Sequence, residues 1–251
     1  MIKAIDIIVG YPSGRAATKR AAAGQPPASI YPDRAHGEGD VAAGRPLASI
    51  CPDRARSAAR QRSTLPPSVA GPLSFSFEDG ECVMLRGRNG SGKTTLMKTL
   101  AGVLKPLSGS FETGGEAVLV PTRIPKVKGF TVEEFIRTGM LAEFGAFKRL
   151  DKRSESDIAE AIRMMDLNAL STKDISKISD GEFQKACIAT ALTKKANVIM
   201  LDEPTAFLDV ENRIMVLQTL QRLAHETGST VIFSTHDIHD GAIYSDTVLA
   251  L

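Results

Sequence analysis

Residues Gly87-Arg88-Asn89-Gly90-Ser91-Gly92-Lys93-Thr94 have the spacing G-x-x-x-x-G-K-T, between a strand-like run and a helix-like run. Glycines at 87, 90 and 92 let the backbone turn so that successive N–H groups converge on phosphate oxygens. The N-terminus of the following helix adds a favourable dipole. Lys93 supplies a point charge for β- and γ-phosphates, and Thr94 a hydroxyl for Mg²⁺. Taken alone, the motif has a plainer reading as a glycine-rich turn beside a surface lysine. The strand–turn–helix context argues against that reading.

A second constellation complements the first. Val198-Ile199-Met200-Leu201 is a continuous apolar run that ends in Asp202-Glu203. Four apolar residues bury a strand, and the two carboxylates emerge at its C-terminal tip, where open α/β sheets bind ligands. Asp202 suits the Mg²⁺ shell, and Glu203 suits a general base that takes a proton from attacking water.

The elements that must position these groups follow from periodicity. Strands are expected at 2–9, 73–77, 81–86, 116–120, 197–201, 230–234 and 247–251. Helices are expected at 93–101, 131–139, 154–167 and 211–226, with another starting near Asp180. Strands alternating with helices indicate an α/β fold. The sequence stops inside its last expected strand, which reads as a truncated end.

Composition narrows the classes. The 251 residues carry 31 basic and 29 acidic side chains, a net charge of +2, which gives no case for a nucleic-acid binder. Cys51, Cys82 and Cys187 form no CxxC pair, so neither a disulfide framework nor a zinc site is suggested. Asp6 interrupts the apolar N-terminus, making a poor secretory signal, and no run of about 18 apolar residues occurs. The charge is unevenly spread: residues 13–68 carry +5, leaving −3 for the other 195. That segment holds 7 of the 13 prolines and only five Leu, Ile or Val. Within it, 22–35 and 42–55 match at 11 of 14 positions, a tandem repeat of period 20. Two copies with few aliphatics do not build a solenoid, so a disordered basic insertion is expected.

With these motifs in place the chain resembles an ATP-binding cassette (ABC) ATPase. Ile178-Ser179-Asp180-Gly181-Glu182 occupies the position of the family signature, usually Leu-Ser-Gly-Gly-Gln, with Ser179 lying 23 residues before Asp202. Leu208-Asp209 matches the family's D-loop, and His236, 34 residues after Asp202, matches its switch histidine. The resemblance implies a P-loop NTPase fold. This has a mostly parallel core sheet, an N-terminal antiparallel part and a small helical subdomain, here 122–178, within one domain over 1–251. It implies ATP and Mg²⁺ as ligands, with residues 87–94 and Thr95 on the nucleotide, and Thr94, Asp202 and Thr122 around the metal. Tyr11 is similar to the residue that stacks on adenine; an ordinary strand-end tyrosine is the alternative. It also implies that two copies pair head to tail, so that Ser179, the backbone of Gly181 and Asp209 face a nucleotide shared with the partner. His236 would contact the γ-phosphate. Ser179 and Glu182 also have capping-box spacing, and both readings can hold. His225 and His239 read as structural.

Three departures from the family stand out. Asp180 replaces a glycine, and an added carboxylate near triphosphate is unfavourable unless it faces away. Glu182 replaces glutamine. Thr122, in Val120-Pro121-Thr122-Arg123, stands where the family has a glutamine that contacts Mg²⁺ and links the site to the transport partner. The stretch 131–139 and the signature are similar to importer ATPases for ferric siderophores, haem and cobalamin. The function expected is therefore an import ATPase for an iron(III) complex or related metallocompound. It would lie peripherally on the cytoplasmic face of the membrane, bound to an integral permease and served indirectly by a substrate-binding protein. A soluble cassette ATPase without a membrane partner and a nucleotide switch without turnover are the alternatives.

Overall fold

The computed structural model describes residues 1–11, 68–144 and 152–251. The expected insertion over 13–68 therefore lies outside the described residues, apart from Ser68.

Ile2, Ala4, Ile7 and Val9 are the buried apolar side chains of strand β1 (Ile2–Gly10). β1 is central in a three-stranded antiparallel sheet, between β2 (Ser68–Phe77) and β4 (Ser108–Thr113). β2 begins five residues earlier than its apolar alternation indicates. β4 was not expected at all. Its sequence, Ser-Gly-Ser-Phe-Glu-Thr, is polar and largely exposed, and its pairing with β1 rather than burial makes it a strand.

The second sheet is wholly parallel. It contains β3 (Cys82–Arg86), β5 (Ala117–Val120), β6 (Val198–Leu201), β7 (Thr230–Ser234) and β8 (Thr247–Ala250), in the order β5-β6-β7-β3-β8. Every residue of β6 and β7 is buried, as strands covered on both faces require. Their side chains alternate between two cores. Val198, Met200 and Ile232 join Ile2, Phe77, Leu96 and Met97, packing the antiparallel sheet and α1 (Lys93–Leu100) onto one face. Ile199, Leu201, Val231 and Phe233 face the other core, with Phe135, Ile136, Ile188, Val216 and Leu220. That core collects α2 (Val132–Phe144), α3 (Lys152–Met164), α4 (Asp180–Leu192) and α5 (Val210–Thr227). α2 runs past its expected end at 139. The six-residue α6 (Ile238–Ile243) is too short to show a helical period in sequence.

The α2–α3 region is tied together locally. Thr131 bridges to Asp174, and the Ile175 N–H donates to Phe130 O at 2.9 Å. It packs against α4, whose start is fixed by a complete capping box. The Ser179 hydroxyl accepts the Glu182 N–H at 3.2 Å, and the Glu182 carboxylate accepts the Ser179 N–H at 2.7 Å.

The Ser179 N–H is the main reason the Glu182 carboxyl is held below its ordinary value of 4.5. A carboxyl lowered by folding stabilises the native state above its unfolded pKa, and that contribution is lost as pH falls through the folded value. Ser179→Ala is expected to lower unfolding free energy by about 1 kcal/mol in urea titration at neutral pH. Glu182→Ala should cost stability at neutral pH and flatten the acid limb of the stability curve between about pH 5 and pH 3. An unaltered acid limb would show that the carboxylate contributes nothing there.

Candidate functional site

Parallel strands end on the same edge of a sheet, so the order β6-β7-β3 brings three loops together. These are the glycine-rich turn after β3, Asp202-Glu203 after β6, and Thr235-His236 after β7. The turn leads directly into α1, whose N-cap, Gly92, lies at φ 102 with no side chain capping the helix. A Cβ at Gly92 would meet the Ala70 Cβ at 2.8 Å, so both the left-handed backbone and the contact with β2 demand glycine. The first intrahelical bond is Leu96 N–H to Gly92 O at 2.8 Å. The N–H groups of the first turn thus have no helical acceptor, which is the arrangement that suits an anion. The Ser91 hydroxyl, buried in the same loop, has no hydrogen-bond partner among the described residues. Lys93, buried, donates through Nζ to Gly87 O at 2.7 Å and Arg88 O at 3.2 Å, closing the loop upon itself.

Asp202 is only 6% exposed, and both its oxygens are bonded. Oδ2 accepts the Thr94 hydroxyl at 2.7 Å, and Oδ1 accepts the Ser234 hydroxyl at 2.9 Å. Ser234 Oγ also accepts the Glu203 N–H at 3.0 Å. Glu203 has φ 55, a left-handed conformation that costs a non-glycine residue about 1–3 kcal/mol. It turns the side chain out of the strand line, where Oε1 meets His236 Nε2 at 2.6 Å. One connected string therefore runs from Thr94 through Asp202, Ser234 and Glu203 to His236. Ser234 was missed in sequence; the only signal was a hydroxyl closing an apolar strand two residues before the histidine. Beyond Glu203 a cleft opens, lined by Thr122, Arg123, Thr205, Arg213 and His236. Thr122 is half-buried there.

The other expected site residues lie outside this string. Ser179 and Gly181 begin α4. A Cβ at Gly181 would stand 3.1 Å from Phe207 O and 3.2 Å from the Leu208 side chain, so the helix start packs tightly on the segment before Asp209. Asp180 turns its carboxylate to Lys126 Nζ at 2.8 Å, and the same ammonium donates to Ile178 O at 2.6 Å. Asp209 caps α5 by accepting the Asn212 N–H at 2.8 Å, which holds its carboxyl below the ordinary range. Tyr11 is 48% exposed, just past β1. His225 pairs with Asp246 at 2.9 Å, a structural contact between α5 and the approach to β8.

Thr94 and Asp202 offer oxygen donors only, the set a hard cation takes. Among the described residues no group of three His, Cys, Asp or Glu side chains could by itself hold a metal. Also among the described residues, no helix is long and apolar enough to cross a membrane.

Comparison with known proteins agrees with this geometry. The family model described as ABC transporter matches residues 70–206. The petrobactin import ATP-binding protein FpuC of Bacillus anthracis is 34% identical over 192 residues, 71% of each chain. The high-affinity zinc uptake system ATP-binding protein ZnuC of Bacillus subtilis is 31% identical over 194 residues, covering 73% of this chain and 84% of that one. Among solved structures, an inward-facing ABC transporter of metal-chelate type superposes with a TM-score of 0.66 at 28% identity, over 72% of each chain. The family match spans the phosphate loop, the helical region and the acidic strand end. The chain belongs to the ABC transporter family and is one of its ATPases.

Proposed function

We propose that this ATPase powers an importer, in which it drives uptake of an iron(III) complex or related metallocompound through a membrane permease. The observation that carries the catalytic reading is the pairing of Glu203 with His236 at the end of the string that begins at Thr94. Lys93 and the N–H groups of residues 88–95 bind the triphosphate. Thr94 and Asp202 hold Mg²⁺, which neutralises charge on the phosphate oxygens when bound. Glu203 accepts a proton from the attacking water, and His236 orients the Glu203 carboxylate and reaches the γ-phosphate. Thr122 is too short to reach the metal directly and acts through water.

A second copy completes the site. Ser179 and the N-terminus of α4 supply donors to nucleotide held by the partner's phosphate loop, with Asp209 at the same seam. Asp180 is compatible with that role because Lys126 neutralises it. The helical region 122–178 is the permease-binding subdomain; Val127 and Phe130 leave apolar surface exposed just before α2. Such a subunit works at the cytoplasmic face, with a substrate-binding protein acting on the far side of the permease and no nucleic acid involved. The likeness to a petrobactin import protein and to a transporter of metal-chelate type supports a metal chelate as cargo. The zinc relative supports only the wider class of metal uptake.

Glu203→Gln is expected to reduce phosphate release by about 10²–10⁴-fold while a nucleotide-bound dimer persists in size-exclusion chromatography. Turnover at the wild-type rate would remove Glu203 from the role of base. Lys93→Ala should abolish tight ATP binding in equilibrium titration, and wild-type affinity in that variant would remove Lys93 from the phosphate site. Affinity purification from native membranes should recover a multi-span permease; its absence would count against the importer.

A further inference from the structure

His236 belongs to no regular element. It lies on the short connection between β7, which ends at Ser234, and α6, which begins at Ile238. Its side chain is 56% exposed, yet its ring is held 2.6 Å from Glu203. Packing alone does not fix so open a side chain, so its neighbours in sequence must. On one side, the Thr235 hydroxyl meets the Thr205 hydroxyl at 3.2 Å and accepts the Asp237 N–H at 3.2 Å. On the other, Asp237 caps α6 by accepting the Asp240 N–H at 3.2 Å through Oδ1. The remaining oxygen, Oδ2, accepts from Arg213 Nη1 at 2.5 Å, and the same nitrogen stands 4.0 Å from Asp240 Oδ2.

Arg213 comes from the first turn of α5, where its backbone N–H donates to Asp209 O at 2.9 Å. Its side chain is 26% exposed and that of Asp237 30%, so this charge-assisted bond is partly sheltered from water. Both line the cleft with Glu203 and His236.

We propose that Arg213 is a positioning residue for His236: its guanidinium, anchored on the first turn of α5, clamps Asp237 and thereby holds the imidazole against Glu203. The clamp also ties the histidine to the segment 207–209, against which Gly181 of the signature packs. A shift of that segment reaches His236 through one ion pair. The inference rests on the active-site reading of Glu203 and His236 given above.

The test uses the full chain and compares Arg213→Ala, Arg213→Lys, His236→Ala and the Arg213→Ala/His236→Ala double variant. ATP turnover, binding of a fluorescent ATP analogue and thermal unfolding are measured for each. Arg213→Ala should lower kcat about tenfold to a hundredfold, with KM for ATP little changed. Lysine should restore part of the loss, since the contact uses one nitrogen, and added guanidinium ion should restore part of it in the alanine variant. In the His236→Ala background the same change should cost nothing further, because both act through one group. An equal loss in both backgrounds, or a fall in unfolding temperature with kcat intact, would overturn the clamp. Asp237→Asn, nearly isosteric, repeats the cycle if Arg213→Ala does not fold. Loss of turnover in Glu203→Gln and His236→Ala with full turnover in Arg213→Ala sinks the clamp alone. Full turnover in all three sinks the active-site reading and the clamp with it.

Discussion

A carboxylate that is 6% exposed must be satisfied by the protein, and Asp202 is satisfied by two hydroxyls from two different elements. Thr94 comes from the helix that follows the phosphate loop, and Ser234 from the end of the neighbouring strand. The bonds tie three loops to one another through hydroxyls. Removing either hydroxyl would leave a buried oxygen short of a donor, which costs more than the bond itself contributes. The strand order makes the arrangement possible: β7 lies between β6 and β3, so Ser234 stands between the aspartate and the loop.

The phosphate-loop spacing is legible in sequence because a left-handed turn entering a helix constrains the backbone. Gly92 must be glycine at its φ of 102, and Lys93 and Thr94 must follow it at the helix start, so the spacing survives as a motif. The acidic strand end was legible because a parallel strand buried on both faces must be apolar until it reaches the edge. Ser234, Thr205, Thr235 and Arg213 were not legible. A hydroxyl or guanidinium that bridges two elements has no fixed sequence distance from its partner; Ser234 lies 32 residues from Asp202 and Arg213 lies 24 from Asp237. β4 and α6 escaped for a different reason. An edge strand held by backbone pairing needs no apolar alternation, and a six-residue helix shows no full period.

The two acidic departures in the signature are accommodated differently, one by an ion pair and one by the capping box. Asp180, expected to disfavour a triphosphate, gives its carboxylate to Lys126, which also bonds the carbonyl of Ile178 and lies 5.7 Å from the Phe183 ring centroid. Glu182 turns inward to the Ser179 N–H, and the hydroxyl of Ser179 accepts in return. Both acidic replacements therefore serve the geometry of the α4 N-terminus, and the helix start keeps a fixed orientation against Phe207 and Leu208. Lys126 balances the Asp180 charge, while the Glu182 carboxylate is held by the Ser179 N–H.

The same economy explains why Lys93 and Glu203 are both bonded to protein groups. The Lys93 ammonium is held by two loop carbonyls, and the Glu203 carboxylate by His236. Each is a charged group kept in place by a bond that a phosphate or a water can exchange for a comparable one. Exchange of equivalent bonds costs little net free energy, whereas drawing a free side chain out of water costs rotamer entropy and desolvation. The strained φ of Glu203 belongs to this arrangement. It costs about 1–3 kcal/mol, and it aims the carboxylate across the cleft rather than along the strand. The backbone N–H bond to Ser234 holds that conformation, so the buried Asp202 and the half-buried Glu203 depend on a single hydroxyl.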